Sequence, residues 1–211
     1  MWKISLAIVL LVAPLSAQEY KAVFYQFAGD QKQIWTGPAK IRDPKIFART
    51  AAVAAATAGL LALDKTDSAY FRRTTSFNEF NKVFNGSITE YGTLAVPAAL
   101  FATGFLRNDP RMTATSVDAA AALSDAELLS VVTKDISHRS LPSGHAASAF
   151  AVATVVSRHY SNHRWVPWVA YGLAGAVGFS RVTTSAHLAS DVFVGAVLGY
   201  SIGRLTEQAR P

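Results

Sequence analysis

The chain has 211 residues, of which 51% are hydrophobic and 16% charged, and it contains no cysteine. This length suits one domain with a buried core, and without cysteine neither a disulfide framework nor a thiolate metal site is possible. Its 20 Lys and Arg against 14 Asp and Glu give a net charge of +6. The cations are scattered rather than aligned on one face, which argues against nucleic acid as a partner.

The N-terminus resembles a secretory signal peptide over residues 1–17. It has a short basic start, an apolar stretch over residues 4–12, and small residues before an expected cleavage after Ala17. An uncleaved N-terminal anchor is the alternative. Residues 18–45 mix aromatic side chains with Lys, Gln and Gly, which predicts an irregular lead-in before the folded domain.

Six stretches of helical length follow, and none shows the alternation of a strand. They predict helices over residues 46–63, 91–106, 116–134, 143–160, 165–179 and 188–205. The predicted fold class is therefore all-α, a bundle of about six helices over residues 46–205, followed by a short tail over 206–211.

Two of these helices carry small residues at every fourth position. The rows are Ala51, Ala55 and Gly59 in the first helix and Gly195, Gly199 and Gly203 in the last. The stripe in the first helix would allow close contact with another helix. The acidic residues Asp118, Asp125 and Glu127 are expected on the surface or at the ends of the third helix.

The connection over residues 66–90 is longer than most. It is polar and aromatic, with Phe77, Phe80 and Phe84 at helical spacing. Two structures would produce this pattern: a short amphipathic helix packed on the core, or a lid or interfacial element.

The order of the helices places three polar clusters at one end of an antiparallel bundle. The third helix ends near Lys134, and the fourth begins at Ser143 after a short turn. The fifth runs back toward that end and finishes at Ser180-Arg181, and the sixth leaves from it around His187. We therefore expect these clusters to meet.

The segment Pro142-Ser143-Gly144-His145 predicts a helix start with Ser143 as its N-cap. A helix N-terminus presents N–H groups and a partial positive charge, which suit phosphate, and Gly144 would let the anion approach the backbone. His145 would lie beside the anion, within reach of a leaving-group oxygen. Taken alone, the segment is also typical of a plain helix start.

His187 and Asp191 are four residues apart, so they share one face of a helix. A carboxylate there can hold one imidazole nitrogen as N–H and leave the other as a nucleophile. Arg181 offers a planar fork for two phosphate oxygens. The pair is alternatively structural or the start of a metal site, but the other histidines offer no evident third ligand. We therefore expect no metal and no other cofactor.

Together these residues resemble the signature of the type 2 phosphatidic acid phosphatase and vanadium haloperoxidase superfamily. The resemblance rests on Lys134 with Arg139, on Pro-Ser-Gly-His at 142–145, and on Ser-Arg-x5-His-x3-Asp at 180–191. It covers residues 46–205 and implies a vanadium haloperoxidase-like helical bundle with a metal-independent phosphatase site. Phosphomonoesters are the implied substrates, with lipid phosphates and isoprenoid pyrophosphates as candidates.

The resemblance also implies a role for each residue. His187 would attack phosphorus and form a phosphohistidine, Asp191 would orient it, and His145 would protonate the leaving oxygen and then activate water. Five groups would hold the phosphoryl oxygens. They are Lys134, Arg139, Ser143, the Gly144 N–H and Arg181.

The first motif departs from the family pattern of Lys, six residues and then Arg-Pro. Seven residues after Lys134 stands Leu141, and Pro142 already belongs to the second motif, so the arginine of Arg-Pro is missing. Loss of one charged contact lowers a rate by about a hundredfold. A degenerate phosphate-binding or membrane-associated scaffold is therefore an alternative to the enzyme. Vanadate-dependent halide oxidation is a third hypothesis, against which the small size and short loops argue.

The uncharged runs are shorter than a bilayer-crossing helix. Residues 50–63, 91–106 and 165–180 are runs of 14 to 16 residues, against the roughly 20 that a spanning helix needs. We expect an exported protein, periplasmic or membrane-associated, whose site faces the periplasm. The phenylalanine-rich segment over residues 70–84 lies at the expected catalytic pole, where it could contact lipid.

Overall fold

The computed structural model describes residues 25, 28, 29, 31–34, 36, 43–137 and 140–208. These residues form helices and short loops, and no strand occurs among them, so the all-α prediction is confirmed. In chain order the helices are α1 (Pro44–Arg73), α2 (Asn78–Val83), α3 (Gly86–Arg107), α4 (Pro110–Ser137), α5 (Gly144–His159), α6 (Val166–Thr183) and α7 (Ala189–Gln208).

Helix α5 is the centre of the bundle, because it packs against α4, α6 and α7 and buries most of its residues. Its buried side chains are small, mainly Ala, Ser and Val, so the neighbouring helices approach closely. The core between α4, α5 and α7 consists of Ala119, Ala122, Leu123, Ala126, Ala147, Ala151, Val152, Val155 and Ile202. The first turn of α5 lies at the pole of the bundle where α6 ends and α7 begins.

The glycine row of α7 lies directly against the backbone of α5. A Cβ atom added at Gly195 would lie 2.5 Å from the carbonyl oxygen of Ser143, and one at Gly203 would lie 2.6 Å from that of Ala151. At Gly199 the added atom would come closer still to a carbonyl oxygen of α5. The three glycines therefore set the separation of α5 and α7.

Helix α1 is longer than predicted and largely exposed. It continues to Arg73, ten residues beyond the predicted end, because residues 64–73 contain neither Pro nor Gly. Ala51, Ala55 and Gly59 are exposed, and an added Cβ at Gly59 would have nothing within 4 Å, so the described residues do not make the close helix contact that this stripe would allow. Within the described part of the chain, α1 is also the one helix long and apolar enough to cross a bilayer, and none of its qualifying window is buried. The expectation that every apolar run is too short to span does not hold for α1.

The two ends of the chain differ from the prediction. In the expected irregular lead-in, residues 25, 28, 29, 31–34 and 36 are helical. Gln31 Nε2 donates a hydrogen bond to Asp125 Oδ1 (2.6 Å), and Ile34 packs against the core. At the other end α7 continues to Gln208, into the predicted tail. The predicted signal peptide lies outside the described residues.

The connection between α1 and α3 contains the short helix α2 and packs on α6 through aromatic rings. The ring centroid of Phe179 in α6 lies 5.3 Å from that of Phe77, 5.6 Å from that of Phe80 and 6.2 Å from that of Phe71. Phe80 also stacks on Phe84 at 4.8 Å. Of the two expected structures, the packed helix is the one found, and it fixes the backbone that leads into α3.

Two acidic residues of α4 are buried rather than exposed. Asp118 and Asp125 are both 0% exposed, so their predicted surface position is wrong. Asp118 Oδ2 lies 2.8 Å from His159 Nε2, at the pole opposite the start of α5. Both carboxylates therefore join helices within the bundle.

Candidate active site

The starts of α3, α5 and α7 and the end of α6 meet at one pole of the bundle. The Ser143 N–H donates to the carbonyl oxygen of Asp191 (2.9 Å), and the His187 N–H donates to that of Arg181 (3.0 Å). The His145 ring faces the first residue of α3. The convergence that the helix order predicted is therefore present for the second and third motifs.

His187 and Asp191 form a pair on the approach to α7. His187 Nδ1 lies 3.3 Å from Asp191 Oδ2. Because a carboxylate only accepts, Nδ1 carries the hydrogen, and in the neutral ring the lone pair is on Nε2. The His187 side chain is 15% exposed and the Asp191 side chain 3% exposed. The pair therefore has the arrangement in which a carboxylate orients an imidazole that can act as a nucleophile.

The Asp191 carboxylate is held by three hydrogen bonds. Its Oδ2 also accepts from Ser140 Oγ (2.7 Å) and from the Leu188 N–H (3.2 Å). Burial raises the pKa of Asp191, but the hydrogen bonds from His187, Ser140 and Leu188 outweigh burial and lower that pKa below its usual value. The carboxylate is therefore ionised at neutral pH.

His145 lies on the first turn of α5, with Nε2 3.2 Å from the carbonyl oxygen of Gly86. A carbonyl only accepts, so Nε2 carries a hydrogen and Nδ1 is the nitrogen that can exchange a proton with a ligand. Burial and then the charge of Arg181 lower the pKa of His145 below 6.5. The Gly86 carbonyl, Glu127 and Glu90 act in the opposite direction without outweighing them.

Arg181 is 5% exposed, and its guanidinium is oriented by its neighbours. Its Nη2 donates to the Phe84 carbonyl oxygen (2.9 Å) and to Ser180 Oγ (3.0 Å). Its Nη1 lies beside Gly86, where an added Cβ would be 3.0 Å away. Burial lowers the pKa of Arg181. The backbone at Phe84 and Gly86 thus positions both this arginine and His145.

Ser143 and Gly144 form the turn that opens α5. Ser143 stands at the predicted N-cap, but its hydroxyl makes no capping bond, and its buried Oγ has no hydrogen-bond partner among the described residues. A Cβ at Gly144 would lie 3.2 Å from Ser130 Oγ and 3.4 Å from Glu127 Oε2. Glu127 Oε1 in turn accepts from Ser148 Oγ (2.6 Å). Glu127, expected on the surface, therefore supports the first turn of α5 from behind.

Two predicted phosphate contacts, Lys134 and Arg139, stay predictions. Lys134 is half-buried near the end of α4 and makes no hydrogen bond to another described residue, and Arg139 lies outside the described residues. Among the side chains that the structure describes, no three of His, Cys, Asp or Glu are grouped to hold a metal ion. The described cluster thus contains one arginine, two histidines and the α5 turn.

The sequence profile of the PAP2 superfamily matches residues 80–211, a range that contains all of these residues. The chain belongs to the PAP2 superfamily. The family resemblance inferred from the motifs is thereby confirmed.

Two proteins that are similar to this chain are a curated relative and a solved structure. The lipid A 1-phosphatase of Porphyromonas gingivalis is 43% identical to it over 67 residues, which are 31% of this chain and 15% of that relative. The match thus spans only a small part of that relative's length. The crystal structure of a transmembrane PAP2-type phosphatidylglycerolphosphate phosphatase from Bacillus subtilis aligns with a TM-score of 0.46 at 19% identity, over 87% of this chain and 95% of that one.

Proposed function

We propose that this PAP2 protein is a phosphatase that hydrolyses lipid phosphate monoesters through a phosphohistidine at His187, without a metal ion. The observation that carries the proposal is the His187 Nδ1 to Asp191 pairing beside the N-terminal turn of α5. A helix N-terminus suits a bound phosphate, and the paired carboxylate suits a nucleophilic imidazole. The name of the lipid A 1-phosphatase relative supports the same class of reaction.

In the first step the His187 Nε2 lone pair attacks phosphorus, a P–N bond forms, and the P–O bond to the leaving group breaks. Asp191 stabilises the positive charge that develops on the imidazole. Arg181 and the turn at Ser143 and Gly144 bind the phosphoryl oxygens as negative charge spreads over them. His145 gives its Nδ1 proton to the leaving oxygen.

In the second step a water molecule attacks the phosphohistidine. His145, now neutral, takes a proton from that water at Nδ1. The P–N bond breaks, inorganic phosphate leaves, and His187 Nε2 regains its lone pair. His145 is again protonated for the next turnover.

A long apolar groove next to the site supports a lipid rather than a small polar substrate. The groove has a volume of about 780 Å³ and is lined by α3, α5 and α6. It begins at Phe84, whose carbonyl orients Arg181, and ends near Tyr160 and Trp165. From Ala149 to Tyr160 it follows α5 for about 16 Å, given a rise of 1.5 Å per residue. We propose that one acyl chain of the substrate lies in this groove.

Filling the groove should reduce the preference for long acyl chains. Gly92 lines the groove, and an added Cβ there would have nothing within 4 Å. We expect Gly92→Phe to raise KM for long-chain phosphatidic acid, because each buried CH₂ contributes about 0.8 kcal/mol, and to leave p-nitrophenyl phosphate turnover unchanged. Gly172→Phe is the matched control, since Gly172 is an exposed helical glycine outside the groove with equally open surroundings. An unchanged chain-length dependence in Gly92→Phe would reject the groove as the acyl site.

The activity itself is tested by phosphate release from p-nitrophenyl phosphate and phosphatidic acid, with and without a chelator. We expect turnover that resists the chelator, is lost in His187→Ala, and persists on p-nitrophenyl phosphate in His163→Ala, an exposed histidine at the opposite pole. No turnover on any phosphate ester would favour the scaffold hypothesis. Bromide oxidation that requires vanadate would favour the haloperoxidase hypothesis.

We also propose that the protein is exported and membrane-associated through α1, with the site facing the periplasm. The exposed large apolar side chains of α1 support this, because water-exposed patches of this kind mark interaction surfaces. They are Ile46, Phe47, Leu61, Leu63 and Tyr70.

Single cysteines test the orientation without background, because the chain contains no other cysteine. Glu79→Cys marks the site pole and Arg164→Cys the opposite pole. A membrane-impermeant maleimide should label Glu79→Cys in cells with a permeabilised outer membrane and an intact inner one. Labelling of Glu79→Cys only after full lysis would contradict the proposed orientation.

A further inference from the structure

Helix α1, all of which the structure describes, has one buried side chain, and that side chain is a carboxylate. Asp64 is 5% exposed, although the nearby apolar side chains Leu61 and Leu63 of α1 are exposed. An aspartate in such a position costs free energy unless hydrogen bonds compensate it. Its partners therefore indicate why it is there.

Both oxygens of Asp64 accept hydrogen bonds from one residue of α7. Oδ2 accepts from Ser190 Oγ (2.5 Å), and Oδ1 accepts from the Ser190 N–H (3.2 Å). Ser190 is 0% exposed and is the second residue of α7. An N–H in the first turn of a helix has no partner within that helix, and a negative charge there is favourable. Asp64 thus caps α7 from another helix.

The residue that follows Ser190 is Asp191. The carbonyl oxygen of Asp191 accepts a hydrogen bond from the Ser143 N–H at the start of α5 (2.9 Å). The Ser190-Asp191 segment is therefore held between α1 and the anion-binding turn. Both contacts hold the backbone that carries the Asp191 carboxylate, which pairs with the His187 ring.

We propose that Asp64 is a positioning residue for the His187–Asp191 pair. It has no contact with the reacting groups and acts through the backbone of Ser190. The inference rests on the proposed phosphatase function, because only that function gives the orientation of His187 a catalytic consequence. It also makes α1 part of the working enzyme rather than an anchor alone.

Variants at Asp64 separate positioning from folding. Asp64→Ala should lower kcat per folded molecule by at least about tenfold, the equivalent of about 1.4 kcal/mol, with KM changed less because Asp64 itself contacts neither Arg181 nor the α5 turn. Asp64→Asn keeps the size of the side chain but loses its charge and should have a smaller effect. Asp64→Glu should recover part of the rate. The control is Asp67→Ala, which removes a carboxylate three residues further along α1 that makes no described contact; it should match wild type.

Two further measurements, a double-variant comparison and nitrogen NMR, test the proposal independently of the single-variant rates. Ser190→Ala removes one of the two donors to Asp64, so the double variant with Asp64→Ala should be no slower than Asp64→Ala alone. Nitrogen NMR of the His187 ring does not require turnover: the Nδ1–H form should dominate in wild type and Asp67→Ala and lose population in Asp64→Ala. If wild type shows no turnover, the phosphatase proposal fails while the NMR result still decides the role of Asp64. Unaltered His187 signals in Asp64→Ala, or a rate loss that only follows the unfolded fraction, would overturn the inference.

Discussion

The contact between α5 and α7 gives the sharpest prediction about stability, at Gly199. A Cβ atom at this position would lie 2.9 Å from both the carbonyl carbon of Ala147 and the nitrogen of Ala151, and closer still to the Ala147 oxygen. All of these are backbone atoms of the central helix, so no side chain can rotate to relieve the collision. Gly199→Ala must therefore push α5 and α7 apart.

The magnitude follows from two opposing terms. Replacing a helical glycine by alanine gains up to about 1 kcal/mol of helix propensity. Overpacking a close-packed interior costs about 1–3 kcal/mol and more where the backbone must move, and here the backbone on both sides must move. We expect a net loss near the upper end of this range, about 2 kcal/mol, which lowers Tm by about 4–8 °C for a chain of this size.

The control is Gly59→Ala, at an exposed helical glycine with nothing within 4 Å of the added atom. It gains the same propensity without a collision, so the difference between the two variants isolates the steric cost. Thermal unfolding of both should give a lower Tm for Gly199→Ala and an equal or higher Tm for Gly59→Ala. Equal Tm values for Gly199→Ala and wild type would refute the close α5–α7 packing.

The remaining predictions concern the proton on His145 and the buried pair at the far pole. Glu127→Gln removes a charge that raises the pKa of His145, so the limb of the kcat/KM profile that falls with rising pH should move to lower pH. The control, Glu79→Gln at an exposed residue, should leave that limb in place. A shift of the limb to higher pH would contradict the assigned sign. Asp118→Ala leaves His159 without its carboxylate partner and should lower the free energy of unfolding by about 1–3 kcal/mol. The kcat per folded molecule should not change, because this pair lies far from the site. A large loss of kcat would show that the two poles are coupled.

The sequence predicted the helices and the convergence of the second and third motifs, because both follow from local pattern and helix order. Six stretches of helical length appear as six long helices, and the glycines at every fourth position of α7 form its contact with α5. The same spacing at Gly59 makes no such contact. Small residues permit close approach, but the partner surface decides whether it occurs, and one sequence does not contain that information.

The missed residues share one physical property: each acts through tertiary contacts. Nothing in the sequence marks Asp64, which directly follows the predicted first helix, because its partner Ser190 is distant in the chain. The carbonyl groups of Phe84 and Gly86 orient Arg181 and His145, but every residue has a carbonyl, so no residue type marks them. Backbone groups of this kind become visible only when the fold is known.

The most direct test of the proposed mechanism is the location of the phosphoryl group during turnover. Wild-type protein mixed with radiolabelled phosphate ester, quenched within one turnover and digested under alkaline conditions, should yield a phosphohistidine in the peptide that contains His187. The label should be absent from His187→Ala. In His145→Ala it should form more slowly, because the acid for the leaving oxygen is lost, and once formed it should persist longer, because the base that activates water is lost too. Label on another residue, or turnover by His187→Ala, would contradict the account.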